Sequence, residues 1–183
     1  FLTFWNVRDV SMAYSLEWIL KREGPDARIV VGAHNTHLQQ YPVRVQKATS
    51  MGSYIANRIG REKLLIIGAA SAYSVKGEEP LPDTNPATYN QVGPECYFLD
   101  LRTAPASGPV AKWLNTERMV RRNLSYRPEA PGIAYDCLLF HRTVSMAEVA
   151  LVPSMVRELG TPDPSRFDDH VGRYVVIGFL SQR

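Results

Sequence analysis

The segment that most constrains the fold covers residues 28–37 and reads Arg-Ile-Val-Val-Gly-Ala-His-Asn-Thr-His. Residues 29–31 are apolar and β-branched with no polar alternation, which is typical of a strand buried on both faces of a parallel sheet. The pattern predicts a central strand. Polar residues follow at its carboxyl end, where open α/β sheets bind ligands, and they are His34, Asn35 and His37.

Apolar runs and helical spacing alternate along the rest of the chain. Further interior strands are predicted at residues 64–70, 96–101 and 135–140. Helices are predicted over residues 8–22, 51–59, 109–114 and 116–123, and after a capping box at Ser145 to Glu148. Residues 173–180 are one more strand candidate. The alternation indicates an α/β fold with a parallel sheet covered on both faces.

One predicted helix has cap residues at both ends, and one long segment has no regular hydrophobic period. Thr49 or Ser50 is a suitable N-cap for the helix at 51–59, and Gly60 is a suitable C-cap. Residues 75–95 contain four prolines and two glycines, so they are expected to form a lid, a binding loop or a disordered segment.

Composition excludes several classes of function. With 183 residues, 45% of them hydrophobic, one globular domain is expected. A net charge of +3 with scattered basic residues disfavours nucleic acid as a partner. No apolar stretch approaches the roughly 18 residues of a membrane span. Cys96 and Cys137 lie in apolar runs and are expected to be buried free thiols, which favours a reducing, cytoplasmic location.

The histidine cluster is the candidate for chemistry. Imidazole acts as a general acid or base near neutral pH, binds metals, or donates to a developing oxyanion, and Asn35 is placed to orient a ring or a substrate carbonyl. The alternative is that His34 and His37 only cap the next element through backbone hydrogen bonds. A zinc site is disfavoured because it needs three or four protein ligands and no other cluster has matching spacing. The sequence contains no Gly-x-Ser-x-Gly motif and no phosphate-binding glycine-rich loop.

Several short motifs occur in a fixed order from the start of the chain to about Val149. They are Arg8-Asp9-x-x-Met12-Ala13, the segment 28–37, Met51-Gly52, Leu65-Ile66-Ile67-Gly68, Phe98-Leu99-Asp100-Leu101-Arg102 and Tyr135-Asp136. In this combination the sequence resembles the erythromycin esterase family. Tyr14-Ser15 departs from the Glu-Asn that the family usually has there.

The resemblance implies a three-layer α/β/α sandwich with a mostly parallel sheet, incomplete in this chain, and a cleft at the strand ends. Characterised members hydrolyse the lactone ester of macrolide antibiotics by activating water without a metal or another cofactor, and so confer antibiotic resistance. The expected partner is therefore a small-molecule ester.

By the same resemblance, residues 1–150 are the carboxy-terminal half of such a domain, and residues 151–183 are an extension that cannot be placed in it. The histidine and glutamate that the family supplies from its amino-terminal half are then not in this chain. His34, His37 and Arg8 are the candidate catalytic residues, with His34 first. Asn35 and Asp9 are candidate substrate-binding residues, and Asp9 is also expected to orient Arg8 or to cap its helix.

His34 is expected to orient water or polarise the ester carbonyl, and Arg8 to hold an acid or stabilise the oxyanion. The alternative is a non-catalytic or truncated α/β domain that binds a small molecule or packs against a missing half.

Overall fold

A computed structural model describes residues 2–40, 49–74, 76–122 and 125–145. The helices are α1 (Leu2–Glu23), α2 (Asn35–Leu38), α3 (Met51–Ile59), α4 (Asn85–Asn90), α5 (Pro109–Leu114) and α6 (Pro131–Ala134). The strands are β1 (Ile67–Ser71), β2 (Cys96–Asp100), β3 (Arg118–Arg122), β4 (Ser125–Glu129) and β5 (Cys137–His141). Short 3-10 turns occupy Arg61–Lys63 and Leu101–Thr103. The predicted helix after the capping box, the strand at 173–180 and the extension 151–183 lie outside the described residues.

The described strands form a three-stranded sheet and a hairpin. The sheet has the order β1-β5-β2, with β1 and β5 parallel and β2 antiparallel to β5. β3 and β4 pair with each other in an antiparallel hairpin. Helices and strands together confirm the α/β class. In the described ranges, however, the sheet is mixed rather than mostly parallel, and the three-layer sandwich remains a prediction.

The predicted central strand at residues 29–31 is wrong for the described part of the chain. Those residues form no strand and are only half-buried. A side chain, and not a strand, forms hydrogen bonds with the outer edge of β1. Asn35 Nδ2 donates to the Ala69 carbonyl at 2.7 Å, and the Ala69 amide donates to Asn35 Oδ1 at 3.1 Å. Val31 and Ala33 pack against the small core between α1 and α3.

Two further predictions about strands and helices are corrected. Residues 118–122 form β3 rather than a helix, because their hydrogen bonds go to β4 across a hairpin that local spacing does not reveal. The predicted strand at 96–101 exists as β2, but it is not interior, since Phe98 remains 55% exposed. Cys96 at its start is exposed, whereas Cys137 is buried as predicted.

Two of the predicted helices, over residues 51–59 and 109–114, exist as α3 and α5. α3 begins after Ser50, whose hydroxyl accepts from the Ser53 amide, and ends at Gly60 with a positive φ of 99°. α5 has the predicted bounds. α1 is longer than predicted because it begins at Leu2, and the predicted irregular segment 75–95 contains α4, capped by Thr84.

Two apolar cores hold these elements. The larger one surrounds the fully buried Phe140 of β5, whose ring stacks on Tyr97 with centroids 4.8 Å apart and meets Tyr89 edge-on at 6.1 Å. The smaller core lies between α1 and α3 and consists of Ala13, Met51 and Ile55. Among the described helices, none is long and apolar enough to cross a bilayer.

Close contact between α2 and α3 depends on Gly52. A Cβ atom at this position would overlap the Leu38 carbonyl oxygen and lie 2.7 Å from the Leu38 carbonyl carbon. Because these are backbone atoms, a side chain cannot be accommodated by rotamer changes. Gly52 therefore allows the start of α3 to lie against the end of α2.

We expect Gly52→Ala to destabilise the protein, although glycine to alanine inside a helix normally stabilises by about 1 kcal/mol. The overlap with Leu38 should reverse the sign and lower the free energy of unfolding by about 1–3 kcal/mol in urea titrations. Asn57→Ala, at an exposed position of the same helix, is the matched control and should be neutral or slightly stabilising. Stabilisation by Gly52→Ala would show that the two backbones are not in contact.

Candidate functional site

The two histidines of the 28–37 segment lie at opposite ends of a single helical turn. His34 is the N-cap of α2, and its Nδ1 accepts a hydrogen bond from the Thr36 amide at 3.2 Å. An acceptor nitrogen carries no proton, so the proton of the neutral His34 ring resides on Nε2. The capping role considered from the sequence is therefore real for His34. It is compatible with a chemical role for the other ring nitrogen.

His37 is held by a carboxylate from a distant part of the chain. Its Nδ1 lies 2.8 Å from Asp9 Oδ1, and the two side chains are 9% and 5% exposed. A carboxylate oxygen accepts, so Nδ1 is the protonated nitrogen, and in the neutral ring Nε2 carries the lone pair. Asp9 thus selects the tautomer of His37 that can take a proton at Nε2.

The same carboxylate is anchored at the start of α3. Asp9 Oδ2 accepts a hydrogen bond from the Met51 amide at 2.8 Å. One helical turn earlier on α1, Asn6 Oδ1 accepts from the Thr49 amide at 3.1 Å. The positive end of the α3 dipole favours the negative charge of Asp9. α1 therefore fixes the entrance to α3 and orients His37 with one side chain.

Asn35 and Arg8, the other candidate residues, are placed differently. Asn35 is buried, and both ends of its carboxamide bond the Ala69 backbone, so it connects α2 to β1. Arg8 lies on the exposed side of α1, next to Asp9 in the sequence. The proposed roles of Asn35 in substrate binding and of Arg8 in catalysis stay predictions.

The two histidines consequently present opposite properties at Nε2. In its neutral form His34 carries a hydrogen there, which is suited to donate to a carbonyl oxygen or an oxyanion. His37 carries a lone pair there, which is suited to accept a proton from water. One donor and one base on the same turn is an arrangement that hydrolysis of a carbonyl compound can use.

Sequence reasoning found these residues but not how they are paired. Asp9 was expected to orient Arg8 or to cap its helix, yet α1 begins at Leu2, so Asp9 is well inside the helix and its carboxylate bonds His37 and Met51. The signal available was an acidic residue facing the apolar side of a helix, where Ala13 is also buried. A buried acid requires a partner, but local spacing does not identify it.

Within the described ranges, no group of three or more His, Cys, Asp or Glu side chains is placed to hold a metal ion.

A family model described as erythromycin esterase matches residues 3–144. No sequence match to a curated protein was found.

Solved structures share the fold at low sequence identity. A mutant of the erythromycin esterase EreC in its open conformation is 20% identical with a TM-score of 0.56, and the match covers 74% of this chain and 36% of that one. A protein from Bacillus cereus is 21% identical with a TM-score of 0.52, over 61% and 32% of the two chains. A succinoglycan biosynthesis protein is 19% identical with a TM-score of 0.52, over 62% and 32%. The chain therefore matches about a third of the length of these proteins.

The pairing of Asp9 with His37 is testable by nitrogen NMR. We expect the neutral His37 ring to be protonated at Nδ1 in the native chain, the less common tautomer of free histidine. Asp9→Ala should shift it towards protonation at Nε2. Histidine ¹⁵N chemical shifts report the tautomer directly, with His34 as the internal reference, since it should remain protonated at Nε2 in both proteins. An Nε2-protonated His37 in the native chain would contradict the assigned hydrogen bond.

Removal of the Asp9 carboxylate should also destabilise the fold. Asp9→Ala removes the acceptor for the Met51 amide and breaks the buried contact with His37, at an expected cost of about 3 kcal/mol. Asp9→Asn keeps an oxygen acceptor for one of the two donors and should cost less. The exposed Asp26→Ala should leave urea unfolding unchanged within about 0.5 kcal/mol. Equal stability of all three variants would exclude Asp9 as the link between α1 and α3.

Proposed function

Since the chain belongs to the erythromycin esterase family, we propose that it supplies part of a hydrolase site in which water attacks a carboxylic ester without a metal ion. The observation that carries this proposal is the Asp9–His37 contact at 2.8 Å, formed by residues inside the matched range 3–144. A buried acid that fixes a histidine tautomer is a recurring device of acid–base catalysis.

His37 is the proposed base. Its Nε2 takes a proton from water as the water oxygen bonds the ester carbonyl carbon. When the tetrahedral intermediate collapses, the bond to the alkoxy oxygen breaks and the same proton passes to the leaving alcohol. The products are a carboxylic acid and an alcohol. Asp9 is the positioning residue that keeps Nδ1 protonated throughout.

His34 is the proposed electrophilic partner. Because Thr36 donates to its Nδ1, the Nε2 hydrogen is directed away from the backbone cap and is suited to stabilise the carbonyl oxygen as it becomes negative. The sequence had favoured His34 as the residue that orients water or polarises the carbonyl, and its tautomer supports the second role. Arg8 is proposed to stabilise the same negative charge or to hold an acid.

A macrolactone ester is the proposed substrate class, and it rests on the family alone. The chain matches 36% of the erythromycin esterase EreC structure, so the activity of a whole domain is a proposal for this chain. Macrolide resistance would follow only from that activity.

A second function from a different class is a non-catalytic or truncated α/β domain that binds a small molecule or packs against a missing half. The specific observation in its favour is the apolar outer face of α1, where Phe4, Val7, Tyr14 and Trp18 are each more than half exposed. A surface of this kind is typical of a contact with another protein element.

Hydrolysis of erythromycin separates the two functions. The protein encoded by the full reading frame that contains this chain should convert erythromycin to a product in which the lactone is opened. Mass spectrometry should show that this product is heavier by one water. His37→Ala and His34→Ala should each lower kcat by a factor of about 10²–10⁴ while circular dichroism is unchanged. Arg8→Ala should lower it less. Arg102→Ala removes an exposed arginine that is paired with Asp100, and it should have no effect.

The role of Asp9 has its own readout. Asp9→Asn should lower kcat by a factor of about 10²–10⁴ with little change in KM, together with the shift of the His37 tautomer. A folded, active Asp9→Asn protein would exclude the positioning role. If the unmutated protein is folded but hydrolyses neither erythromycin nor simple ester substrates, the binding function is favoured instead.

A further inference from the structure

Cys96 and His141 form a side-chain pair at the exposed end of the sheet, separate from the histidines of α2. Cys96 begins β2 and His141 ends β5, and the antiparallel register places them directly opposite each other. Cys96 Sγ lies 3.6 Å from His141 Nε2, which is hydrogen-bond distance for sulfur, and both residues are exposed. The sequence had predicted a buried, inert thiol.

Charged groups flank this pair but largely cancel each other. Glu95 and Arg142 are the chain neighbours of Cys96 and His141, and their charged atoms lie 3.5 Å apart. Thr143 also donates to Glu95, at 3.1 Å. The Glu95 carboxylate is therefore already paired, whereas the His141 imidazole lies within hydrogen-bond distance of the Cys96 thiol and can accept its proton.

The second cysteine of the chain provides an internal control. Cys137 is buried at the other end of β5 and its Sγ lies 3.8 Å from Asp100 Oδ1. Burial, reinforced by the negative charge of Asp100, raises the pKa of the Cys137 thiol. This thiol is buried and is less ionised at neutral pH than an ordinary thiol, so it should react slowly.

We propose that Cys96 is a nucleophilic thiol activated by His141, and that it is a site of modification by low-molecular-weight disulfides. His141 Nε2 takes the thiol proton and the Cys96 thiolate attacks one sulfur of the disulfide. The disulfide S–S bond breaks, a mixed disulfide forms at Cys96, and the other half leaves as a thiolate that regains a proton. No net oxidation occurs, because the reagent supplies the disulfide bond that is exchanged.

The structure favours a small disulfide over a macromolecular partner for a simple reason. The pair lies at a strand end in contact with solvent, and the two neighbouring charges are satisfied by each other. A reagent therefore needs only access to Sγ. This proposal does not depend on ester hydrolysis, and its test does not measure hydrolysis.

The test is the rate of labelling of each cysteine in the native chain. Glutathione disulfide is added at neutral pH, the reaction is quenched with acid, and mass spectrometry of peptides quantifies the mixed disulfide at Cys96 and at Cys137. We expect Cys96 to react at least about tenfold faster than Cys137. His141→Gln removes the base but keeps a polar side chain, and it should slow Cys96 to about the rate of free glutathione under the same conditions.

Matched controls make each outcome decisive. Cys137→Ser should keep the fast reaction, and Cys96→Ser should abolish it. In urea, where the cross-strand pairing is lost, the two cysteines should react at similar rates. Unchanged labelling of Cys96 in both His141→Gln and His141→Asn would overturn activation by His141. Slow labelling of Cys96 in the native chain would overturn the modification site itself.

Discussion

The hydrogen bonds of the Asp9 carboxylate are the interaction on which the described structure most depends. One oxygen accepts from the Met51 amide at the start of α3, and the other contacts His37 on α2. The Asp9 side chain is 5% exposed, so its carboxylate must be compensated for the loss of water, and here both oxygens are. Because these contacts join α1, α2 and α3, the orientation of His37 and the packing of the three helices cannot vary independently.

Two other residues support the same group of helices, Asn35 by hydrogen bonds to a strand and Gly52 by allowing a close backbone contact. The carboxamide of Asn35 bonds Ala69 on the outer edge of β1, in the manner of a neighbouring strand. Gly52 lacks a side chain at the point where α3 contacts the Leu38 backbone. Each lies within two residues of a group that contacts Asp9 or His37, so the segment around the histidines is held by backbone contacts on two sides. Such a rigid support is what a pair of functional side chains requires.

The histidines themselves illustrate how hydrogen bonds at one ring nitrogen set the chemistry of the other. Thr36 donates to His34 Nδ1, whereas Asp9 accepts from His37 Nδ1. Identical side chains three residues apart are thereby assigned opposite properties at Nε2. The pair of Cys96 and His141 shows the same dependence on environment, because the exposed thiol faces an imidazole while the buried Cys137 faces a carboxylate.

The sequence by itself determined the features that depend on neighbours along the chain. These include the α/β class, the bounds of α3 and α5, the Gly60 cap with Thr49 or Ser50 as the N-cap, and the motif order that places residues 3–144 in the family. It also identified His34, His37 and Asp9 as candidates. Only the tertiary structure decided that β2 is antiparallel, that residues 118–122 form a hairpin strand, that Cys96 is exposed and that Asp9 contacts His37. The physical reason is that hydrophobic periodicity and caps report which local conformation is favourable, whereas a partner 28 residues away in the sequence is selected by the burial of a charge and by the packing of whole elements.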